Sequence, residues 1–235
     1  MGRGFDTTHW SVVLAARDGD GSRARAALDA LCAAYWQPLY AFVRRQGHGA
    51  DEAADLTQAY FLRFLEKAYL DDVARERGRF RAFLLASMRH FLANEWDRKK
   101  AQRRAGDLAA LSLDFLVAER NFNAEAVGER SPEAEYERRW ALAVLARALV
   151  ALERAEREAG REAQFAHLRV FLTESSETPY AEIGAALGTS ESAVKIAVHR
   201  LRRKFGDKLR AEVASTVEDA AEVDDELKHL LRSLG

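Results

Sequence analysis

The chain carries a single cysteine, Cys32, with three prolines and two methionines. One thiol excludes an internal disulfide and any metal site built from several cysteines, and marks Cys32 as a small buried hydrophobe. So few prolines leave room for long uninterrupted helices, and strand-like runs of β-branched and aromatic residues are scarce. There is no run of about 18 apolar residues and no cationic-then-apolar leader, which reads as a cytoplasmic chain without a membrane span. Net charge is nearly absent too, since 36 Lys and Arg stand against 37 Asp and Glu. A nucleic-acid role would therefore have to come from local segregation of charge. His9, His48, His90, His167, His199 and His229 are scattered without ligand spacing, so no metal, cofactor or catalytic centre is expected and the chain reads as a non-enzyme.

What the sequence does have is Ala, Leu, Arg and Glu in abundance, the composition of an all-α protein. With 235 residues, 48% of them hydrophobic, it can bury a core, most naturally as two small helical domains joined by a linker.

The clearest local signal is TPYAEIGAALGTSESAVKIAVHRLRRKFG, from Thr178 to Gly206. Thr178 followed by Pro179 is a helix start, Ile183 and Leu187 share one face, and Gly188 stops the segment. Ser190 is the next N-cap, and Val194, Val198, Leu201 and Phe205 then recur at helical spacing, so one stripe of the second helix is buried. Glu191, Lys195 and His199 project from the other side, with Ile196, Arg200 and Arg203 beside them. Two short helices, a glycine turn and a basic exposed face form a helix-turn-helix, whose second helix enters the major groove. The bland alternative is an αα-hairpin with a solvated charged face.

Charge segregates elsewhere as well. From Arg79 to Arg104 the chain is strongly basic, with Phe80, Phe83, His90, Phe91 and Trp96 interleaved among the cations, a composition suited to stacking on unpaired bases and neutralising phosphates. For most of those aromatics an interior role on an amphipathic helix competes, whereas Arg98 to Arg104 do not suit a core. Upstream, Asp51, Asp55, Gln58 and Leu62 lie along one helical stripe and Leu56, Tyr60 and Phe64 along another, giving an acidic face that repels DNA and invites a basic protein partner; an ordinary solvated face is the competing reading. Periodicity fades between Ala105 and Arg130, with room for a short helix, and Ser131-Pro132 opens the next helix. Leu142, Leu145, Leu149 and Leu152, then Phe165, Leu168 and Leu172, lead into the helix-turn-helix.

Taken in order, DEAADLTQAYFLRFLEK, GRFRAFLLASMRHFLANEWDRKK and YAEIGAALGTSESAVKIAVHRLRRKF resemble an extracytoplasmic-function (ECF) sigma factor, a two-domain sigma subunit of bacterial RNA polymerase. The resemblance runs from about Ala27 to Arg210. It implies a region-two-like domain (27–104), a linker (105–130) and a region-four-like helix-turn-helix domain (131–210); an N-terminal extension (1–26) and an acidic tail helix (211–235) lie outside what the minimal family plan requires. It further implies that Asp51, Glu52, Asp55 and Gln58 hold the clamp helices of the polymerase beta-prime subunit. Leu70 to Arg79, with Arg75, Arg77 and Arg79, matches the loop that captures a flipped minus-ten base, Phe83, His90 and Asn94 the adjoining recognition helix, and Arg98, Lys99 and Lys100 backbone phosphate contacts. Ser192, Lys195, Ile196, His199 and Arg200 match the minus-thirty-five recognition positions, with Arg202 and Arg203 as phosphate or base contacts.

The chain departs from the family pattern in having Phe83 where tryptophan is common and His90 where asparagine is common. Partners implied are core polymerase and promoter DNA, duplex and single-stranded; an anti-sigma factor, or a Ser/Thr kinase acting on Thr57 within the acidic patch, is left open. The acidic run Glu218 to Glu226 either folds back to screen Arg200 to Arg210 or belongs to a small helix docked through Leu227, Leu230, Leu231 and Leu234. The alternative function is a conventional helix-turn-helix regulator that binds duplex DNA without polymerase; a helical scaffold that binds only protein is a further rival.

Overall fold

The computed structural model describes residues 9–10, 13, 21–64, 79–101, 119, 122, 130–173 and 178–235. Among these residues every regular element is helical, and the all-α expectation holds. In chain order they are α1 (Gly21–Arg45), α2 (Ala50–Phe64), α3 (Phe80–Ala101), α4 (Pro132–Glu158), α5 (Glu162–Leu168), α6 (Val170–Thr173), α7 (Tyr180–Ala186), α8 (Glu191–Ala214), a 3-10 turn (Ala220–Glu222) and α9 (Val223–Leu234). Packing divides the chain into two units, Met1–Ala143 with Ala214–Gly235, and Val144–Val213.

The first unit is organised by α1 against α2 and α2 against α3. On α2, Ala53, Leu56, Thr57, Tyr60, Phe61 and Phe64 are buried, the three-and-four spacing of one helical face. On α3, Phe80, Leu84, Leu85, Met88 and Phe91 are buried, and each such side chain contributes roughly 1.5–3 kcal/mol when fully removed from water. An aromatic cluster fills the space between helices: Phe80 meets Tyr35 edge-on at 5.4 Å and Trp10 at 5.1 Å, and Tyr60 meets Phe91 at 5.7 Å. Cys32 is buried on α1, as its solitary status suggests. The Tyr60 hydroxyl, which could not be buried unpaired, donates to Ser87 Oγ at 3.1 Å.

Within the expected linker, Glu119 and Phe122 are described, both helical. Glu119 accepts from Tyr40 and from Arg44 Nε (3.0 Å) and Nη2 (2.9 Å). Phe122 is buried with the Arg44 guanidinium 4.8 Å from its ring. The pairing raises the Arg44 pKa, and burial next to the Glu119 carboxylate raises that of Tyr40.

Ser131 caps α4 through its hydroxyl, which accepts from Ala134 N–H at 3.2 Å, so the Ser-Pro start behaves as read. The buried stripe of α4 differs from the leucine heptad. Tyr136, Trp140, Val144, Ala148 and Leu152 are buried, while Leu142, Leu145 and Leu149 are half-buried flanks. Strict four-residue spacing through the bulkier aromatics takes the interior position.

The second unit closes around Leu152, Phe165, Leu168, Phe171, Ile183, Val194, Val198 and Leu201. α7 begins one residue later than the Thr-Pro start suggests: Pro179 is the N-cap residue, extended at φ −63° and ψ 138° and without a side-chain cap bond. Ser190 does cap α8, accepting from Ala193 N–H at 3.2 Å. Gly188, between α7 and α8, has φ +63°, a left-handed conformation that costs other residues strain.

Candidate nucleic-acid interface

In the second unit, the inward side of α8 fixes its outward side. Val194, Val198 and Leu201 are buried, which leaves Ser192, Lys195, Ile196, His199, Arg200 and Arg203 exposed along the opposite face. Lys195, Ile196, His199, Arg200, Arg203 and Lys204 border a shallow hollow of about 470 Å³. Ile196 is 53% exposed, an apolar tip among cations that suits a thymine methyl.

Three neighbours not among the expected contacts shape this face. Glu191 Oε1 lies 2.6 Å from Lys195 Nζ, and the same ammonium sits 5.8 Å from the Tyr180 ring centroid. The hydrogen bond to Glu191, more than the remaining contacts, raises the Lys195 pKa and keeps it cationic. Ser190 Oγ lies 3.0 Å from Ser192 Oγ, placing two hydroxyls at the start of the helix. The i, i+4 spacing of Glu191 and Lys195 is legible in the sequence; Tyr180 sits on another helix and gives no such local signal.

Arg202 is exposed on α8 but turned toward the scaffold, its Nε and Nη2 donating to the Phe171 carbonyl at 3.3 and 3.1 Å. Lys204 is held by the buried Glu156 at 2.6 Å, as is Arg161 at 2.6 Å. The Arg161 hydrogen bond, with Lys204 behind it, lowers the Glu156 pKa.

In the first unit, Asp51, Glu52 and Asp55 are exposed and Gln58 is half-buried along the first turns of α2. Their carboxylates near the helix N-terminus are favoured by its dipole. Glu52 also lies 2.9 Å from His48 Nδ1. Thr57 sits on the opposite side, fully buried, with its hydroxyl donating to the Ala53 carbonyl at 2.7 Å. A kinase would meet no exposed hydroxyl there.

On α3, His90 and Asn94 are exposed one turn apart. Phe83 is half-buried and packs in the aromatic cluster, 5.2 Å from Trp10, 5.9 Å from Phe80 and 6.3 Å from Phe64. Arg79, at the foot of α3, lies 3.1 Å from Glu226. Trp96 is 66% exposed, unlike the interior aromatics around it, and borders a groove of about 370 Å³ shared with His48, Glu52 and Arg89. Arg75 and Arg77 lie outside the described residues. Arg98, Lys99 and Lys100 continue α3, of which only the backbone is described there.

Among the described residues no cluster of His, Cys, Asp and Glu could hold a metal ion, and no helix is long and apolar enough to cross a membrane. A helix-turn-helix with a cationic outer face defines a DNA-binding protein. The family is narrower: residues 10–211 match the model of the ECF sigma factors, and the chain belongs to that family. It is thereby a sigma subunit of RNA polymerase, a protein of transcription initiation. Comparison with curated proteins and with solved structures gives no match.

Proposed function

We propose that this sigma factor binds core polymerase through α2, recognises the minus-thirty-five element through α8 and helps open the minus-ten element through α3 and the loop before it. The observation that carries the reading is the shared exposed face of Ser192, Lys195, Ile196, His199, Arg200 and Arg203. That face is held by a helix whose other side is core.

In this mechanism no bond is made or broken by the chain. Arg200 and Arg203 neutralise phosphates and release counterions, which supplies affinity and register. Lys195 reads a guanine edge and Ile196 a thymine methyl, which supplies sequence preference. The acidic turn of α2, with Asp51, Glu52, Asp55 and Gln58, receives the basic clamp helices of the polymerase. His90 and Asn94 line the single-stranded minus-ten face, and stabilising an unstacked base there lowers the cost of opening. Arg79, with Arg75 and Arg77, supports the captured strand, and Arg98, Lys99 and Lys100 hold its backbone. Neither contact patch is large, so weak promoter affinity is expected without polymerase.

Run-off transcription with purified bacterial core polymerase and a pool of upstream DNA tests the reading. Defined transcripts should appear only when the protein is added, and should be lost with Asp55→Arg or Lys195→Glu. Tight duplex binding indifferent to polymerase would identify a conventional regulator instead.

A further inference from the structure

The family match ends at residue 211, yet Ala214–Gly235 belong to the same compact unit as α1, α2 and α3. Two backbone bonds fasten the start of this segment. His9 N–H donates to the Ser215 carbonyl at 2.8 Å, and Phe80 N–H donates to the Thr216 carbonyl at 3.1 Å. Thr216 and Val217 are buried. On α9 the inward residues are Val223, Glu226 and Leu230, while Leu231 is 63% exposed, so the docking face differs from the leucine set read in the sequence.

A carboxylate in the middle of that stripe is costly unless it is fully paired. Glu226 has no exposed surface, and its pairing is complete. Arg81 Nε donates to Oε1 at 2.6 Å and Nη2 to Oε2 at 3.2 Å, while Arg79 Nε lies 3.1 Å from Oε2. Arg81 is a scaffold residue: it is itself buried, bonded also to Glu137, and lies 5.0 Å from the Trp140 ring. The Tyr136 hydroxyl donates to the Arg81 carbonyl at 2.9 Å. Arg79 is different, since its side chain is 34% exposed and it immediately precedes α3.

We propose that Glu226 is a positioning residue for promoter opening, holding Arg79 in place at the foot of α3 to meet the captured strand. The inference rests on the proposed role of α3 and Arg79 in opening. With its guanidinium ion-paired to Glu226 and its side chain 34% exposed, Arg79 meets a phosphate from a position already ordered on one side. An arginine so held gives up less rotamer freedom when it binds than one free in solvent. The C-terminal segment is on this account a working part of the opening unit rather than an appendage.

The test uses the full chain, bacterial core polymerase and a promoter that the wild-type holoenzyme has selected, labelled with 2-aminopurine in the minus-ten element. Glu226→Gln keeps the shape of the side chain and withdraws its charge. Opening should slow by about tenfold, the scale of one lost charge-assisted bond, with core binding and closed-complex affinity within about twofold. Adding Arg79→Ala should cause no further loss, and a template already opened across the minus-ten element should restore the rate. If Glu226→Gln melts below the assay temperature, Glu226→Asp, which keeps the charge and shortens the reach, should slow opening with core binding intact. Unchanged opening overturns the proposal. So does faster opening, which would make the tail a screen, and so does a parallel fall in core binding and opening, which would make Glu226 merely structural. Absence of any open complex with the wild-type chain would strike the sigma reading itself.

Discussion

The amide of Thr189 donates to the carbonyl of Gly184 at 2.8 Å, and a Cβ placed on Gly184 would stand 2.8 Å from the Thr189 carbonyl oxygen. The turn of the helix-turn-helix therefore closes directly on the bare backbone of α7. Gly188 supplies the left-handed step, and Gly184 supplies the space into which the turn settles.

Gly184→Ala should consequently push backbone against backbone, where no flexible side chain can yield. Overpacking of this kind costs about 1–3 kcal/mol. We expect a lower unfolding midpoint by circular dichroism together with weaker duplex binding. Gly206→Ala is the control: a Cβ there meets nothing within 4 Å, and the exchange should stabilise the exposed helix by up to about 1 kcal/mol.

Phe83 and His90 share a helix but should respond in opposite ways. Phe83 packs against Trp10, Phe80 and Phe64, so Phe83→Ala should cost about 2–4 kcal/mol of stability through lost contact and cavity. His90 is exposed, and His90→Ala should stay within about 0.5 kcal/mol of wild type. It should nevertheless alter which minus-ten bases are selected by the holoenzyme. Denaturant titration beside selection from a randomised minus-ten pool separates the two.

Thr57 tests whether a hydroxyl in the acidic patch is a usable switch. Its burial and its bond to the Ala53 carbonyl predict that Thr57→Val stays within about 1.5 kcal/mol of wild type, the range of one neutral bond. Thr57→Glu places an unpaired charge in the interior, at a cost of about 3–5 kcal/mol. Loss of polymerase binding in Thr57→Glu should then coincide with a lowered melting temperature.

The helix-turn-helix was legible because its signals are local. Ser190, Gly188 and the spacing of Val194, Val198 and Leu201 each act within a few residues, and the cationic face follows from them by geometry. The acidic start of α2 was legible for the same reason. What the sequence did not disclose depends on partners far along the chain. Arg202 reads as one more cation until the Phe171 carbonyl, 31 residues away, is found beside it. Glu226 reads as one of an acidic run, and its burial follows from Arg81, 145 residues away. Trp96 reads as core by its neighbours' pattern and stands exposed, because the buried stripe of α3 passes through Met88 and Phe91 on another side.

The distinction between Arg202 and its neighbours is measurable through salt. Each phosphate contact removed lowers the dependence of log affinity on log salt by about 1. Arg200→Ala and Arg203→Ala should each do so, weakening all promoter sequences alike. Arg202→Ala should leave the slope unchanged and lower stability instead, since the Phe171 carbonyl loses both donors. Binding isotherms over a salt series, paired with thermal melts, provide the check.

Glu156 couples the recognition helix to pH. It is 4% exposed and accepts from Arg161 and from Lys204, which borders the basic hollow on α8. Those bonds hold its carboxyl below the usual value of 4.5, so the folded state binds the proton less readily than the unfolded chain. The stabilisation is therefore fully present above the unfolded pKa and is lost as pH falls through the lower folded one. Glu156→Gln should remove this contribution. Its stability difference from wild type should be constant above about pH 5 and shrink as the medium is acidified toward about pH 2. Exposed carboxylates such as Glu133 and Asp225, also lowered by their partners, remain in both proteins and cancel in that difference. A difference that stayed constant across the whole range would mean that Glu156 titrates alike in the folded and unfolded chains.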